Sequence, residues 1–339
     1  MQDDFLYTGI QGGDIIRINL AKDPLNDAWE TVWAGTPCKG QYEEHLCGRP
    51  LGMTFHPKTK NLLVVADSSK GLYTVDVKTK VQTMLVPFGL EIEGKKNMLT
   101  NSVAVAKDGT MYYTISSTHF GLGDGLFEGL SAGSGLLLKY DPVKNASKVL
   151  VDKLNFANGI ALSEKEDYLL FNEVGRHLVH KYHLTGPKKG QNEVLFRAPG
   201  NPDNIKPNGK GGFLVGVVVV QHGDKLNPFQ DLVFPYPRIA RFIVRTFYYW
   251  NQFFTWANRA VCECEWLQKA AYWAGNIEVG LPAVKKYGLV LELNGDTGEV
   301  IQSWHHTTGE YGFVCEAYKA GDWLYLGSPY NYGVKRIKY

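Results

Sequence analysis

Six segments of the chain repeat one pattern, in which a turn separates two short apolar runs. The first runs cover residues 5–8, 62–65, 111–114, 168–171, 213–216 and 323–326. Their partners cover residues 14–18, 71–75, 135–140, 177–182, 288–293 and 333–337. Runs rich in aromatic and β-branched residues, bounded by Gly, Asn and Asp, predict pairs of antiparallel β-strands.

The paired runs recur as a unit of about 40 to 60 residues, which is typical of a β-propeller. In that architecture each unit forms one antiparallel sheet, and the sheets surround a central channel. We therefore expect an all-β protein, a six-bladed β-propeller with a helical insertion in the fifth blade. Residues 1–339 are expected to form this propeller as a single domain.

Each complete unit holds a further strand upstream of the pair, and in a propeller this strand lines the channel. Three oxygen-bearing side chains lie in one register, ten residues before the second strand of their unit: Asn101, Asn158 and Asp203. Gly52 has that position in the second unit, and Phe313 has it in the sixth, with Glu316 three residues later. We expect these oxygens to converge at one mouth of the channel. The alternative is that they only form local backbone hydrogen bonds at strand starts.

The first unit begins at its second strand, so its channel-lining strand is missing from the sequence. A blade without that strand would leave an unpaired edge. We expect from this that the chain is truncated at its N-terminus. Replacement by a strand from the C-terminal end is the alternative.

The fifth unit is interrupted by an insertion, residues 222–285, in which the hydrophobic period becomes helical. Pro235 and Pro237 mark the start of a helix. One face carries Arg238, Arg241 and Arg245, and another is apolar: Ile239, Phe242, Ile243, Trp250, Phe253, Phe254 and Trp256. A basic, aromatic helix suits a lid over the channel mouth, contact of residues 237–275 with a membrane surface, or a partner protein.

Charge and cysteine content narrow the function classes. The net charge of +2 gives no reason to expect a nucleic-acid partner. Five cysteines leave at least one thiol free. Cys38 and Cys47 could close a small disulfide. Cys262 and Cys264 are two residues apart, which is poor geometry for a bond between them in either a helix or a strand. Asn145 begins an Asn-Ala-Ser glycosylation sequon in a turn. The disulfide pair and the sequon favour the secretory pathway, and the absence of a signal peptide leaves the cytoplasm as the alternative.

Five motifs follow one another along nearly the whole chain. They are CGRPLG at 47–52, VAD at 65–67 with GL at 71–72, FANGIALS at 156–163, PGNPDNI at 199–205 and LYLGS at 324–328. Together they resemble the strictosidine synthase-like family, in its animal branch of the adipocyte plasma membrane-associated protein and hemomucin type. The chain is more distantly similar to paraoxonase and regucalcin, which are six-bladed calcium-dependent hydrolases.

The resemblance implies a calcium ion in the channel, held in the hydrolase relatives by a Glu, two Asn and an Asp. Asn101, Asn158 and Asp203 match three of these positions, and Asn204 matches the neighbouring Asn of paraoxonase-type sites. The Glu belongs to the missing first strand. Cys38 and Cys47 match the family's disulfide pair. Animal members are typically glycosylated and anchored by an N-terminal membrane segment, which implies an extracellular or lumenal location.

Two further residues are candidates for catalysis. Glu316 stands at the start of the last channel-lining strand, where we expect a carboxyl group enclosed by apolar side chains to act as an acid or a base. The resemblance aligns Glu316 with the catalytic glutamate of the plant alkaloid synthase. His119 follows a strand of the third unit and is expected to reach the same mouth.

These observations favour a calcium-assisted hydrolase of the arylesterase or lactonase type, with its site at the channel mouth. Its expected partners are small molecules, an ester, a lactone or an amine. One alternative is a non-enzymatic binding propeller, membrane-associated or secreted. The other is an amine–aldehyde condensation that uses Glu316 without a metal.

Overall fold

Antiparallel sheets dominate the computed structural model, which describes residues 4–22, 28–221, 233 and 236–339. The first sheet holds β1 (Phe5–Gly9), β2 (Ile15–Asn19) and β3 (Trp29–Trp33). The second holds β4 (Pro50–Phe55), β5 (Leu62–Asp67), β6 (Gly71–Asp76) and β7 (Gln82–Pro87). A small hairpin, β8 (Glu91–Ile92) and β9 (Lys95–Lys96), follows it.

The next sheets repeat the same order of strands. The third holds β10 (Thr100–Val105), β11 (Met111–Ile115), β12 (Gly135–Asp141) and β13 (Ala146–Leu154). The fourth holds β14 (Ala157–Leu162), β15 (Tyr168–Glu173), β16 (Leu178–His183) and β17 (Asn192–Arg197). The fifth holds β18 (Gly200–Pro207), β19 (Gly212–Val220), β20 (Gly288–Asn294) and β21 (Val300–His306). The sixth holds β22 (Glu316–Ala320), β23 (Trp323–Gly327) and β24 (Lys335–Lys338).

The sheets pack side by side in chain order. Strands β4, β10, β14, β18 and β22 contact one another in that sequence, and β1 contacts β4. Apolar side chains of neighbouring sheets form the core between them, for example Leu72 with Tyr113 and Leu170 with Val215. A last cluster joins the first and sixth sheets through Leu6, Ile18 and Tyr325. The sheets therefore close into a propeller-like ring with its core between the sheets.

In the described part of the chain, four α-helices lie in the connections: α1 (Glu44–Cys47), α2 (Gly125–Gly129), α3 (Pro237–Ala260) and α4 (Glu265–Gly275). Short 3-10 helices cover Gln41–Glu43, Leu122–Asp124, Val174–Arg176 and Ile277–Ala283. No helix among the described residues is long and apolar enough to cross a membrane. In the expected insertion 222–285, residues 222–232 and 234–235 lie outside the described part.

Strand direction places these helices at one end of the ring. Within a sheet the first strand begins where the second ends and the third begins, because successive strands are antiparallel. The β11–β12 and β19–β20 connections, which carry α2, α3 and α4, therefore lie at the end where the first strands begin. We call this end the mouth.

Candidate functional site

Each first strand of the second to fifth sheets is interrupted by a β-bulge near the mouth. The register shifts between Pro50 and Gly52 in β4, and between Thr100 and Ser102 in β10. It shifts again in β14 and β18, around the predicted side chains. Bulges re-aim side chains and are frequent beside active sites. The bulged positions hold Leu51, Asn101, Asn158, Asp203 and Asn204, so Leu51, and not Gly52, stands at the equivalent place in β4.

Asp203 and Asn158 meet through their side chains, since the Asn158 amide hydrogen-bonds to the Asp203 carboxylate. Burial of the Asp203 carboxyl and the negative charge of Glu316 together raise its pKa to about 7, against the lowering effect of that hydrogen bond. The Asn158 side chain is buried, and its Oδ1 has no hydrogen-bond partner. The site therefore combines a carboxyl group that is hard to ionise with an unsatisfied amide oxygen.

Glu316 lies beside Asp203 and faces a cation. Its Oε1 is 3.3 Å from Lys206 Nζ, and the lysine side chain is 16% exposed against 29% for the glutamate. Lys206 follows Asp203 by three residues on β18. The same strand therefore supplies the Asp203 carboxylate and the positive charge that pairs with Glu316. Lys206 was not predicted as a site residue.

Asn101 and Asn204 extend the site on either side. Asn101 is buried and its Nδ2 donates to Ser116 Oγ at 2.9 Å, while Ser116 donates to the Ala157 carbonyl at 2.6 Å. The Asn204 backbone N–H donates to the Cys315 carbonyl at 2.9 Å. These bonds hold the first strands of adjacent sheets at fixed separations.

Two polar side chains missed by sequence reasoning tie neighbouring sheets together behind the site. Thr114 Oγ1 on β11 donates to the Asn158 carbonyl at 2.7 Å, and Asn172 Nδ2 on β15 donates to the Asp203 carbonyl at 2.6 Å. Both residues are fully buried, and Asn172 Oδ1 has no partner. Asn172 could have been predicted from its position directly after the apolar run Leu169-Leu170-Phe171, because an amide buried in a strand requires a specific hydrogen-bond partner.

Glycine allows the first strands to approach closely at the mouth. A Cβ on Gly159 would lie 2.5 Å from Asn204 Cα and 2.6 Å from the Asp203 carbonyl oxygen. A Cβ on Gly52 would lie 2.6 Å from Ser102 Cα and 2.8 Å from the Asn101 carbonyl oxygen. The separation of the site residues therefore depends on the absence of these side chains.

Charged groups from the connections lie above this site. Arg49 Nη1 forms an ion pair with Glu44 Oε1 at 2.5 Å, and both side chains are largely buried. Burial raises the pKa of Tyr330 far above its usual value, and the charges of Glu278 and Asp203 raise it further. Tyr330 therefore lies near both Glu278 of the Ile277–Ala283 helix and the carboxyl of the site.

His119 lies at the mouth end but faces solvent. Its Nδ1 is 3.2 Å from Thr118 Oγ1, and its backbone N–H donates to Ser117 Oγ at 3.1 Å. None of the hydrogen bonds found for it in the described structure reaches Asp203 or Glu316. The structure thus brings Asp203, Asn158 and Glu316 together and leaves His119 outside that group.

The oxygen atoms of Asp203 and Asn158 are donors of the kind that a hard cation binds. Calcium prefers carboxylate, amide and backbone oxygens. No group of three or more His, Cys, Asp and Glu side chains forms a metal cluster among the described residues, so a cation here would depend on amide oxygens as well. The unpaired Asn158 Oδ1 beside Asp203 is such a donor. Because Glu316 is paired with Lys206, Asp203 is the carboxylate available to a cation.

The cysteines form two disulfides. The expected bond joins Cys38 and Cys47, whose Cα atoms are 5.6 Å apart. The expectation that Cys262 and Cys264 would not pair is wrong, because they lie in the bend between α3 and α4, with Cα atoms 5.3 Å apart. Neither a helix nor a strand constrains them there. Cys315 is the free cysteine.

Comparison of the sequence with known proteins identifies relatives of this chain. The strictosidine synthase family model matches residues 101–187. The chain is 35% identical to the adipocyte plasma membrane-associated protein hemomucin of Drosophila melanogaster, over 98% of this chain and 57% of that protein. It is 31% identical to the adipocyte plasma membrane-associated protein of Mus musculus, over 96% of this chain and 71% of that one.

Among solved structures, a chain of the nidogen/laminin complex superposes with a TM-score of 0.56 at 11% identity. The match covers 98% of this chain and 89% of that chain. At this identity the likeness concerns the fold alone.

Proposed function

The chain belongs to the strictosidine synthase-like family, together with the adipocyte plasma membrane-associated proteins, and we propose that it is a six-bladed β-propeller of that family. Each of the six sheets of three or four strands would be one blade. The helices α3 and α4 would be an insertion in the fifth blade, since they lie between β19 and β20 of one sheet. The closed packing of the first sheet on the sixth supports this count.

We propose that the protein is a calcium-assisted hydrolase of esters or lactones, with its site at the mouth. The observation that carries this proposal is the unpaired, buried Asn158 Oδ1 beside the Asp203 carboxyl. A buried acceptor without a donor costs free energy unless something satisfies it. A cation that binds both oxygens would satisfy the amide and favour the ionised carboxylate at the same time.

Asp203, Asn158, Asn101 and Asn204 would hold the cation through their oxygens. Calcium supplies polarisation of a substrate carbonyl and neutralises the negative charge that develops on its oxygen during attack by water. Glu316 would take the proton from the attacking water, because it is the carboxylate next to Asp203 that lies outside the donor set. Lys206, 3.3 Å from Glu316, would fix the orientation of that carboxylate.

The test is a calorimetric titration of calcium into chelator-treated protein, followed by hydrolysis assays with an aryl ester and a lactone. We expect Asp203→Asn to weaken calcium binding at least about tenfold, because it replaces the charged ligand. We expect Glu316→Gln to bind calcium and to lose about a hundredfold in hydrolysis rate, which is typical for removal of a general base.

The matched control for these variants is Asp322→Asn, a substitution of the same kind at an exposed position. It should alter neither binding nor hydrolysis. Hydrolysis that persists in chelator and in Asp203→Asn would overturn the proposal. Calcium binding without hydrolysis of either substrate would leave a binding propeller in its place.

We also propose a location in the secretory pathway, on the extracellular or lumenal side. Two disulfides support it, because such bonds persist in oxidising compartments. Asn145 supports it as well, since it is exposed in the turn between β12 and β13. Protein expressed through that pathway should lose mass on treatment with an N-glycosidase, and Asn145→Gln should not; unchanged mass of the wild type would contradict the proposal.

A further inference from the structure

Helix α3 presents a row of large apolar side chains to solvent. Phe242 is 72% exposed, Tyr249 67%, Trp256 59%, Phe253 57% and Trp250 53%. Single exposed apolar residues are ordinary on protein surfaces, but a contiguous exposed patch marks a binding surface. We call these five residues the aromatic face.

The aromatic face is separate from the side of α3 that packs on the protein. That side carries Ala240, which is buried, and Asn251, whose Nδ2 donates to the Ala271 carbonyl at 2.9 Å. Tyr248 packs edge-on against Phe127 of α2, with 5.8 Å between ring centroids. The opposite side of the helix therefore packs on α2 and α4, and the aromatic face takes no part in that packing.

Four residues of the aromatic face follow one another at helical spacings of three, four and seven, and Trp250 lies beside them. Positions 242, 249, 253 and 256 form a continuous stripe along the helix because side chains at these spacings lie above one another. Ile239, at 44% exposure, extends the stripe toward the first turn. The sequence prediction of one apolar face is corrected here, since Ile243 and Phe254 turn partly inward while the other members face solvent.

Positive charge lies within the stripe, since Arg238, Arg245 and Arg259 stand three or four residues along the helix from its members. Arg238, Arg245 and Arg259 are exposed, Arg241 lies between them, and the helix from Pro237 to Ala260 contains no Asp or Glu. Such a helix attracts a negatively charged surface while its rings remain available for apolar contact. The combination of Trp, Tyr and Phe with Arg is typical of helices that lie in the plane of a bilayer interface.

We propose that α3 docks the protein on an anionic phospholipid surface, with the helix axis parallel to the membrane and the aromatic face among the headgroups and upper acyl chains. Charge complementarity selects this occupant, because a second copy of the chain would bring the same arginines together. The helix is not long and apolar enough to cross the bilayer. Since α3 lies at the mouth end, docking holds the mouth of the ring toward the lipid.

The test is flotation of the full chain with vesicles of phosphatidylcholine alone and with vesicles that also contain phosphatidylserine. We expect binding to the second kind, and a blue shift of tryptophan fluorescence on binding. The double substitution Phe253→Gln with Trp256→Gln should lower the partition coefficient at least about tenfold, because two large apolar side chains no longer leave water.

The matched aromatic control is Trp29→Gln with Tyr332→Gln, which removes two exposed rings outside α3. It should leave vesicle binding unchanged. Reversal of charge in Arg238→Glu with Arg245→Glu should weaken binding to the phosphatidylserine vesicles about fivefold or more. The exposed pair Lys60→Glu with Lys189→Glu changes the net charge equally and should have a smaller effect.

Three outcomes would overturn the proposal. The first is equal binding by the wild type and the Phe253/Trp256 variant. The second is equal binding to both kinds of vesicle, which removes the anionic surface. The third is self-association in sedimentation velocity that the Phe253/Trp256 variant loses while vesicles bind neither protein, because the aromatic face would then be an interface between copies of the chain. Unchanged thermal unfolding of each variant excludes loss of fold as the cause.

Discussion

At Asp203 the fold places a carboxyl group where its charged form is disfavoured. Burial and the neighbouring Glu316 charge together raise its pKa from 3.8 to about 7. Because the folded protein binds this proton more tightly than the unfolded chain, the group favours folding at acidic pH and loses that contribution as the pH rises toward 7. A bound cation would reverse the preference, since it stabilises the ionised form.

Calcium affinity should therefore depend on pH through Asp203. Below pH 7 protons compete for the carboxylate, so affinity should fall by up to about tenfold per pH unit, and it should level off above the pKa. Calorimetric titrations at a series of pH values measure this. In Glu316→Gln the charge that raises the pKa is gone, so the midpoint should move to lower pH. A profile that is flat across pH 7 in the wild type would show that Asp203 is not a ligand.

Counting along the sequence located Asn101, Asn158 and Asp203 because the strand-turn-strand unit has a nearly constant length. It failed in the second unit, where the longer turn before β5 shifts the count by one residue from Leu51 to Gly52. Counting did not identify Lys206 or Asn172. Both residues contact a neighbouring sheet, and local sequence patterns do not predict such contacts.

Among the elements, the cross-sheet hydrogen bonds behind the site fix the spacing of the first strands. Thr114 Oγ1 donates to the Asn158 carbonyl and accepts from the Ser102 N–H at 3.1 Å. One hydroxyl thus satisfies two buried backbone groups on two different sheets. Asn172 serves the next pair of sheets by the same kind of bond.

Thr114→Val should reduce the free energy of unfolding by about 2 kcal/mol, because it keeps the shape of the side chain and leaves two buried backbone groups unpaired. Urea unfolding measures the loss. The control is Thr83→Val on β7, where the side chain is exposed, and it should change stability by less than about 0.5 kcal/mol. Equal stability of the two variants would mean that water replaces the Thr114 bonds.

The strands themselves were predictable, since alternation and Gly-led turns are local signals, and every predicted pair of runs corresponds to an observed pair of strands. The helical period at 237–275 was also visible. The break into α3 and α4 was not, because it coincides with the Cys262–Cys264 bond, which the spacing argued against. The helical period does not distinguish a lid from a helix that binds a membrane surface, since both require an apolar face.

For the whole molecule, closure of the ring rests on side-chain packing between its first and last sheets. Leu6 and Ile18 pack with Tyr325, and partly buried Tyr318 and Trp323 join them. Contacts between the two ends of a chain have no local signature in its sequence. The repeat predicted a ring, and only the structure shows which residues close it.

Tyr325→Ala should reduce the free energy of unfolding by about 3 kcal/mol, as expected for loss of a buried aromatic side chain. Hydrogen exchange should accelerate first in β1 and β23, on either side of the closing cluster. The control is Tyr332→Ala, whose side chain is fully exposed. Exchange that accelerates equally in all sheets would show that the ring unfolds as one unit without a preferred seam.

Cys315 gives this ring a chemical reporter of its own interior. Burial raises the pKa of its thiol well above the usual value, and the negative charges of Asp203 and Glu316 raise it further. The thiolate is the form that attacks alkylating reagents, so Cys315 is slow to label while those carboxylates are charged. The labelling rate of one native cysteine, followed by mass spectrometry without any introduced probe, would therefore record each change in the charge of the site.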